Sequence, residues 1–526
     1  MIRCRRVALL ASVVGTMVLV ATAQAEVRLP KIFGNGMVLQ QQMAVPVWGW
    51  AQPGEKVTVT LSKQQKIATA DAAGKWMLRL DPMPANKTAQ EMTVEGANSV
   101  TFKDVLVGEV WVCSGQSNME MVVSSCLNFA AEKEAANQPL IRQIKFPHVV
   151  STTPQADIAG QWTVCAPETV AGFTAAGYFF ARELVKELDV PVGLIASNWG
   201  GTRIEPWIPP EGFRMVEQLK DLSRMVDAWD PQSPAWQKSH SEYVAKVKEW
   251  VPKAEAALAA RQPLDPLPVS PIPEGSSLPA QIYNGMIHPL VPYAIRGALW
   301  YQGEANGGEG VAYLYKMQAL IGGWRKLWGQ GDFPFYYVQL ANFQRSDPQT
   351  PQGGDGWTLV REAQTQALSI PNTGMACIID IGDAVNIHPL NKQDVGKRLA
   401  LWALANTYGK KDVVFSGPMF KAQVIEDNRI RISFDYVGSG LVLGRKKGLE
   451  PVQPAADGKL AWAAIAGEDN IWHLADAVID GATVVFSSEK VAKPVAVRYA
   501  FAMNPEGANL YNKEGLPAVP FRTDTR

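Results

Sequence analysis

The sequence predicts an α/β protein in which a three-layer α/β/α domain with a mainly parallel sheet is flanked by N-terminal and C-terminal β-sandwich-like domains. Two observations support this class. From about residue 105 to residue 411, apolar strand-like runs alternate with helix-like segments, as in parallel sheets covered by helices on both faces. On either side of that region, short alternating strands are separated by turns. We therefore expect domains at 26–104, 105–411 and 412–526.

The first 25 residues have the features of a secretory signal peptide. Three arginines lie among the first six residues, an apolar run follows from residue 7 to about residue 21, and the small-residue motif Ala23-Gln24-Ala25 comes next. The apolar run is shorter than the ~20 residues that a membrane-spanning helix needs. We therefore expect a mature chain that begins near Glu26, is secreted or periplasmic, and is not held in a membrane after cleavage.

The N-terminal domain is predicted from alternating apolar residues. Val57, Val59 and Leu61 alternate with polar residues after a Pro-Gly turn, and a second alternating run follows at residues 76–80. This region contains no cluster of titratable residues that is typical of catalysis. We therefore expect it to support the rest of the fold.

The central domain is predicted from the order of its strands and helices. Helices are expected at about 173–188, 311–328 and 392–408, and strands at 192–196, 297–300, 335–340 and 375–380. Residues 208–279 interrupt this pattern with a helical insertion at 211–260 and a linker at 263–279. Because six of the 17 linker residues are proline, we expect an extended surface segment there.

The C-terminal domain returns to the β pattern. Alternating apolar residues at 430–434 and apolar runs at 483–486 and 495–499 predict strands. Its beginning is placed near residue 412 because Gly409 is a suitable C-cap for the preceding helix.

The overall charge gives no indication of an anionic partner. Lysine plus arginine and aspartate plus glutamate each number 50, so the formal charge is zero and nothing favours nucleic acid or an anionic membrane surface. The 17 tryptophans suit both core packing and stacking on sugar rings.

The cysteines predict neither a disulfide scaffold nor a zinc site. Without the signal peptide, four remain: Cys113, Cys126, Cys165 and Cys377. Export would permit them to pair, but four thiols in a chain of this length are not a disulfide framework, and their spacing does not match zinc ligands. We expect no metal and no organic cofactor, while disulfide pairing and oligomeric state stay open.

A candidate nucleophile follows the first strand of the central domain. The motif Gly115-Gln116-Ser117-Asn118 comes directly after the apolar run 110–113. Ser117 is therefore expected at the carboxyl edge of the sheet, where open α/β sheets bind ligands. Gly115 permits a sharp turn before it.

A serine nucleophile needs a base, and the sequence offers only five histidines. His388 follows a predicted strand in a polar loop, so it is expected at the same sheet edge as Ser117. His288 precedes a strand and is the weaker alternative. The other three, His148, His240 and His473, lie in an unplaced segment, the insertion and the C-terminal domain.

Four sequence blocks resemble the sialate O-acetylesterase family, which belongs to the SGNH superfamily of esterases. These blocks are residues 110–120, 197–202 (Ser-Asn-Trp-Gly-Gly-Thr), 300–304 (Trp-Tyr-Gln-Gly-Glu) and 387–389 (Ile-His-Pro). Segments 284–287, 331–335, 359–364 and 515–523 are also of the family's kind. The resemblance thus extends over nearly the whole mature chain and implies an SGNH-hydrolase-like fold for the central domain.

The resemblance implies an exported carbohydrate O-acetylesterase that hydrolyses O-acetyl esters on sugars through a serine acyl-enzyme. The substrate would be O-acetylated sialic acid or, alternatively, an acetylated plant polysaccharide such as xylan or xyloglucan. A different class stays open as well, namely a non-catalytic carbohydrate-binding protein with an inactive hydrolase core. The presence of both Ser117 and His388 disfavours that alternative.

The resemblance also implies roles for individual residues. Ser117 and His388 would be catalytic, and the oxyanion hole would comprise the backbone N–H of Ser117, that of Gly200 or Gly201, and the Gln302 amide. Glu304 would support Gln302. From their positions, we expect Asn118, Arg203, Glu205, Trp207 and Arg361 to line the sugar pocket. A salt-bridged loop would equally explain Arg203, Glu205 and Trp207, and a helix-surface pair with Glu362 would explain Arg361.

The third member of the triad departs from the family pattern. SGNH esterases commonly have an aspartate three residues before the histidine, and that position here is Val385. The nearest acid is Asp383. Either Asp383 orients His388, or a Ser-His dyad operates and a backbone carbonyl orients the imidazole.

Overall fold

The structure is a computed structural model that describes residues 26–350, 353–455 and 458–524. The predicted signal peptide at 1–25 lies outside the described residues. None of the helices in those ranges is both long and apolar enough to cross a membrane.

The N-terminal region is built from short strands, two of which pair with one long strand. Its strands are β1 (Val38–Gln40), β2 (Val45–Trp50), β3 (Lys56–Leu61), β4 (Gln64–Thr69), β5 (Lys75–Leu80), β6 (Asn86–Glu95) and β7 (Ser99–Gly115). The first half of β7 pairs antiparallel with β6, and its middle pairs parallel with β1. The second half of β7 enters the central sheet, so the boundary expected at 104/105 falls inside one continuous strand.

The central sheet adds six strands to β7. They are β8 (Ile141–Lys145), β9 (Gln161–Val164), β10 (Val192–Asn198), β11 (Gly297–Tyr301), β12 (Phe335–Val338) and β13 (Thr373–Ala376). Their order is β13-β12-β11-β7-β10-β8-β9, and every pairing is parallel except that of β8 with β9. The carboxyl ends of the parallel strands therefore meet at one edge, which positions the candidate site.

The central region also contains helices, some of which pack against this sheet. The helices are α1 (Ser117–Glu120), α2 (Phe129–Glu134), α3 (Ala175–Leu188), α4 (Pro210–Arg214), α5 (Lys220–Ala228), α6 (Pro234–Ala259), α7 (Ala312–Trp328), α8 (Gly356–Gln366) and α9 (Lys392–Trp402). On one face, Trp111 of β7 packs against Phe180 of α3, with ring centroids 5.0 Å apart. On the opposite face, Trp300 of β11 packs edge-on against Trp324 of α7 at 6.2 Å.

The insertion at 208–279 contains helices followed by an extended segment. Helices α4, α5 and α6 lie within it, and the Ser233 hydroxyl caps α6 by accepting from the Trp236 N–H. Residues 263–279 form neither helix nor strand, in line with the proline spacing.

The C-terminal region consists of antiparallel sheets with a hydrophobic core of their own. Its strands are β14 (Met419–Glu426), β15 (Arg429–Asp435), β16 (Leu441–Arg445), β17 (Gln453–Pro454), β18 (Ala463–Gly467), β19 (Trp472–Leu474), β20 (Asp476–Asp480), β21 (Thr483–Ser487), β22 (Pro494–Tyr499), β23 (Leu510–Asn512) and β24 (Phe521–Arg522). Its two four-stranded sheets have the orders β14-β15-β21-β20 and β19-β18-β22-β24. Their core includes Ile432, Val484 and Val497, whereas the N-terminal and central regions share one continuous core.

The four cysteines of the described chain are free and buried. Burial raises the pKa of Cys126, Cys165 and Cys377 to about 12, so these thiols stay protonated at neutral pH. They therefore pack as small apolar side chains.

Candidate active site

Ser117 lies at the carboxyl edge because the chain turns sharply where β7 ends. Gly115 has φ +133°, and a Cβ there would lie 2.2 Å from the Tyr301 carbonyl oxygen, so this position requires glycine. The Gln116 N–H donates to the same carbonyl at 3.0 Å, which ties the turn to the end of β11. Ser117 then begins the short helix α1.

His388 reaches Ser117 from the loop between β13 and α9. Its Nε2 lies 2.8 Å from Ser117 Oγ, a hydrogen-bond distance suited to proton transfer. Partial burial and the nearby Lys392 ammonium lower the pKa of His388. The neutral imidazole, which accepts a proton from serine, is therefore favoured at neutral pH.

Asp383 lies in the same loop, and its carboxylate faces the backbone. Its Oδ1 accepts from the N–H groups of Val385 at 2.8 Å and Asn386 at 3.2 Å. Asn386 in turn accepts from the His388 backbone N–H at 2.9 Å. Within the described ranges no hydrogen bond joins Asp383 to the His388 ring, so the carboxylate shapes the loop by an Asx-type turn.

Asn118 points away from the opening toward the interior. Its side chain is 1% exposed; Nδ2 donates to Glu304 Oε1 at 2.5 Å and to the Ile387 carbonyl at 3.0 Å. Its Oδ1 accepts from Lys392 Nζ at 2.8 Å. The structure therefore places Asn118 behind the Ser-His pair, although the sequence predicts it among the substrate contacts.

The two glycines after β10 have different environments. A Cβ on Gly200 would lie 3.3 Å from Ser117 Cβ, so Gly200 lies against the nucleophile. Its N–H donates to Glu120 Oε2 at 2.7 Å, so this donor is already occupied by a carboxylate. Gly201 has φ +75° and makes the tight turn that follows.

Gln302 is also near this edge, but its amide is occupied. The side chain is fully buried, and Nε2 lies within hydrogen-bond distance of Gln116 Oε1, the Thr202 carbonyl and Asn306 Oδ1. Its Oε1 accepts from the Tyr313 hydroxyl at 2.8 Å. Two amide hydrogens already face three acceptors, so Gln302 does not offer the free donor that the sequence predicts.

Arg203 and Glu205 belong to an ion-pair cluster. Arg203 Nη2 lies 3.0 Å from Glu205 Oε1, and Lys316 Nζ lies 2.7 Å from the same oxygen. Glu309 contacts both cations. Burial acts to raise the pKa of Glu205, but Lys316 and the hydrogen bonds from Asn306 and the backbone together outweigh it, so the net pKa is lowered. The partly exposed Arg203 is the member of this cluster that can reach a ligand.

Trp207 and Arg361 do not lie at the opening. Trp207 is fully buried, and its indole N–H donates to the Thr202 hydroxyl at 3.0 Å. Arg361 is 1% exposed, and its guanidinium donates at 2.7–2.8 Å to four backbone carbonyls, those of Leu340, Ala341, Ala502 and Met503. Arg361 therefore ties the end of β12 to the C-terminal region, and both side chains, which the sequence predicts as sugar contacts, are bonded to interior groups.

Three further residues at this edge were not identified from the sequence. The Glu120 carboxylate that accepts from Gly200 also accepts from His148 Nε2 at 2.8 Å. The His148 ring stacks on Trp199 with centroids 4.4 Å apart and planes 5° apart. The position of His148 follows from the fold, because it comes three residues after strand β8, whose carboxyl end lies at the same edge as Ser117.

The site thus joins a serine hydroxyl to an imidazole with a lowered pKa, which suits acyl transfer. In the described part of the chain no three His, Cys, Asp or Glu side chains lie close enough together to hold a metal ion.

Comparisons with known proteins agree with this chemistry. The family model for carbohydrate esterases described as sialic acid-specific acetylesterase matches residues 107–255 and 276–404. The sialate O-acetylesterase of Homo sapiens is 28% identical over 538 residues, which covers 94% of this chain and 92% of that protein. The sialate O-acetylesterase of Mus musculus is 30% identical over 435 residues, covering 75% of this chain and 76% of that protein.

A solved structure extends the similarity to the fold. A carbohydrate acetylesterase from Xanthomonas citri shares 34% sequence identity with a TM-score of 0.76, covering 95% of this chain and 100% of that one. The chain is therefore a carboxylic ester hydrolase and belongs to the sialic acid-specific acetylesterase family of carbohydrate esterases.

Proposed function

We propose that this protein hydrolyses O-acetyl esters on sugars by forming an acetyl-enzyme at Ser117. The observation that carries the proposal is the 2.8 Å distance between His388 Nε2 and Ser117 Oγ. The lowered pKa of His388 supports a general-base role, because the imidazole is unprotonated at neutral pH.

In the first half-reaction Ser117 Oγ attacks the acetyl carbonyl carbon while His388 Nε2 takes the hydroxyl proton. The carbonyl oxygen gains negative charge in the tetrahedral intermediate. Collapse of that intermediate breaks the bond to the sugar oxygen, and His388 returns its proton to the departing alkoxide. The products are the free sugar hydroxyl and acetyl-Ser117.

In the second half-reaction a water molecule attacks the acetyl carbonyl, with His388 Nε2 accepting its proton. The second tetrahedral intermediate then releases acetate, and the Ser117 oxygen recovers the proton from His388. The serine hydroxyl and neutral imidazole are thereby restored.

The oxyanion donors are proposed to be the backbone N–H groups of Ser117 and of Gly200 or Gly201. The closeness of Gly200 to Ser117 supports this assignment, since a Cβ on Gly200 would lie 3.3 Å from Ser117 Cβ. A Gly200 donor requires that the Glu120 carboxylate, now 2.7 Å away, release that N–H when substrate binds. Gln302 has no part in this proposal because its amide is occupied.

The proposed substrate is an O-acetylated sialic acid. Relatives named sialate O-acetylesterase over 94% of the chain support this choice. The stacked Trp199–His148 pair offers aromatic surface beside Gly200, which suits contact with a sugar ring.

Acetate release from O-acetylated sialic acid tests the proposal. We expect turnover by the parent and none by Ser117→Ala. Acetate release only from acetylated xylan or xyloglucan would support the esterase activity and contradict sialic acid as the substrate. Glycan binding that Ser117→Ala leaves unchanged, without turnover of any acetyl ester by the folded parent, would overturn the catalytic proposal.

We also propose that the central region is an SGNH-type three-layer domain between β-sandwich-like domains.

We further propose that the protein is exported to the periplasm or beyond. The arginines, apolar run and Ala-Gln-Ala motif of the first 25 residues support export. Cell fractionation and N-terminal sequencing test this: a mature terminus near Glu26 is expected, and a retained Met1 in the cytoplasm would contradict it.

A further inference from the structure

The two backbone carbonyls that flank His388 are both held by buried side chains. The Ile387 carbonyl accepts from Asn118 Nδ2 at 3.0 Å, and the Pro389 carbonyl accepts from Lys392 Nζ at 2.6 Å. Lys392 Nζ also donates to Asn118 Oδ1 at 2.8 Å. The loop on either side of the imidazole is thus bound by two side chains that are bonded to each other.

This arrangement links the base directly to the nucleophile. Asn118 is the residue after Ser117 in α1, so its side chain and the Ser117 hydroxyl share one stretch of backbone. Any displacement of the His388 loop relative to α1 therefore stretches the bond from Asn118 to the Ile387 carbonyl. Lys392, at the start of α9, connects the same loop to the helix that follows it.

The burial of Lys392 indicates that the lysine is not there simply to stabilise the fold. Its side chain is 0% exposed, and its ammonium lies 5.4 Å from the centre of the Tyr301 ring. Burial lowers the pKa of Lys392 to about 8, against the opposing effect of Cys126 and Glu304. Desolvating a cation is costly, and an apolar side chain of similar length would fill the same space without that cost.

Glu304 completes the network on the other side of Asn118. Its Oε1 accepts from Asn118 Nδ2 at 2.5 Å. Its Oε2 is buried without a hydrogen-bond partner in the described chain, and burial raises the pKa of Glu304. Asn118 is therefore held from three directions, by Glu304, Lys392 and the Ile387 carbonyl, which leaves its side chain one orientation.

We propose that Lys392 and Asn118 are positioning residues that hold the His388 imidazole at proton-transfer distance from Ser117 by binding the carbonyls of Ile387 and Pro389. In serine hydrolases with a triad, an aspartate on the imidazole orients the base. Here Asp383 binds backbone N–H groups of its own loop, and orientation comes from the backbone on both sides of His388. This inference rests on the proposed Ser117–His388 mechanism.

The test uses the full-length enzyme, p-nitrophenyl acetate as substrate, and Lys392→Met as the first variant. We expect kcat to fall about 10²-fold with KM within about twofold, because a displacement of about 1 Å at the reacting groups has that effect. The matched control is Arg325→Met. Arg325 is another buried cation that binds backbone carbonyls, those of Phe333 and Asn372, but it lies at the opposite edge of the sheet. We expect this control to lower the Tm and to leave kcat within about threefold of the parent.

A double-mutant cycle separates positioning from general stability. If Lys392 acts through His388, adding Lys392→Met to His388→Ala reduces the residual rate no further. An undiminished 10²-fold loss in that background would overturn the inference. Where Lys392→Met does not fold, Asn118→Ala takes its place with the same expectation and the same cycle.

The failure of this inference is distinguishable from the failure of the proposed function. A parent whose activity survives Ser117→Ala would overturn the mechanism itself. A parent that depends on Ser117 and His388, yet keeps kcat within about threefold in folded Lys392→Met and Asn118→Ala, would overturn the positioning role alone.

Discussion

His388 Nε2 lies 2.8 Å from Ser117 Oγ although 271 positions separate the two residues in the chain. Ser117 follows β7, and His388 follows β13, which is three strands away in the central sheet. Because both strands point the same way, their carboxyl ends lie at the same edge, and the loop after β13 runs back along that edge.

Removing either member of the pair is expected to abolish most of the activity. Ser117→Ala and His388→Ala should each lower kcat on p-nitrophenyl acetate about 10³-fold or more, and the double variant should be little worse than either, because the two residues act as a unit. Ser125→Ala and His240→Ala are the matched controls, since Ser125 is exposed and His240 lies on α6 in the insertion. If the double variant showed the full combined effect of the two single replacements, this would contradict a catalytic step shared by Ser117 and His388.

Replacing Asp383 tests whether a carboxylate orients the base. We expect Asp383→Asn to keep the rate within a few fold of the parent, because an amide oxygen can accept from the same N–H groups of Val385 and Asn386. Asp347→Asn is the control, since Asp347 also accepts from the N–H two residues on, that of Gln349. A rate loss of 10³-fold or more for Asp383→Asn, without a similar loss for Asp347→Asn, would instead support a triad in which Asp383 orients His388.

The pH dependence of the reaction should report the environment of His388. Partial burial and the Lys392 cation lower the pKa of His388, and the neutral form is the active base. We therefore expect kcat/KM to rise with pH through a pKa below the usual value of about 6.5 and to be level at neutral pH. In Lys392→Met the cation is absent, so this limb should move to higher pH. A limb at or above the usual value in the parent would be inconsistent with the structure.

The stacked aromatic pair beside the nucleophile should affect sugar substrates selectively. We expect Trp199→Ala to raise KM for an O-acetylated sialic acid about tenfold while changing kcat on p-nitrophenyl acetate by less than about threefold, because a stacking contact contributes on the order of 1 kcal/mol. Trp236→Ala is a close control, since Trp236 stacks on His240 at 3.7 Å within the insertion. Equal effects on both substrates would argue against a sugar contact.

Arg361 should matter for stability rather than for substrate binding. Replacement by methionine removes one donor from four backbone carbonyls, of which those of Ala341 and Met503 keep a second donor, from Trp357 and Phe343. Because a buried cation and its hydrogen bonds are lost together, we expect the free energy of unfolding to fall by about 3–5 kcal/mol. Thermal unfolding measures this loss, with the exposed ion-pair residue Arg429→Met as a control expected to change it by less than about 1 kcal/mol. A raised KM with an unchanged Tm would instead place Arg361 in the sugar site.

The α/β class and the family were predictable from the sequence, and both are confirmed. Alternation of strands and helices is a local pattern, and the blocks around Ser117, Gly200 and His388 lie where strands end. Since parallel strands share one carboxyl edge, these local signals were sufficient to bring Ser117 and His388 to the same place.

The partners of the other side chains were not predictable in this way. Gln302, Trp207 and Arg361 follow or lie near the same edge, yet each is buried and bonded to interior groups. Whether a polar side chain at a strand end faces a ligand or the core depends on which distant segments supply its acceptors. That information is in the packing and not in the spacing of residues along the chain.

The sequence by itself determined the order of the strands, the glycine turn at Gly115 and the residue types that suit acyl transfer, because these depend on local backbone geometry and chemistry. The strand ends were less exact, since the strand expected at 375–380 lies at Thr373–Ala376. The tertiary structure decided that Asp383 turns to its own loop and that Asn118 and Lys392 meet behind His388. The physical reason is that a buried donor must be paired, and its partner is chosen by contacts between segments more than 270 positions apart.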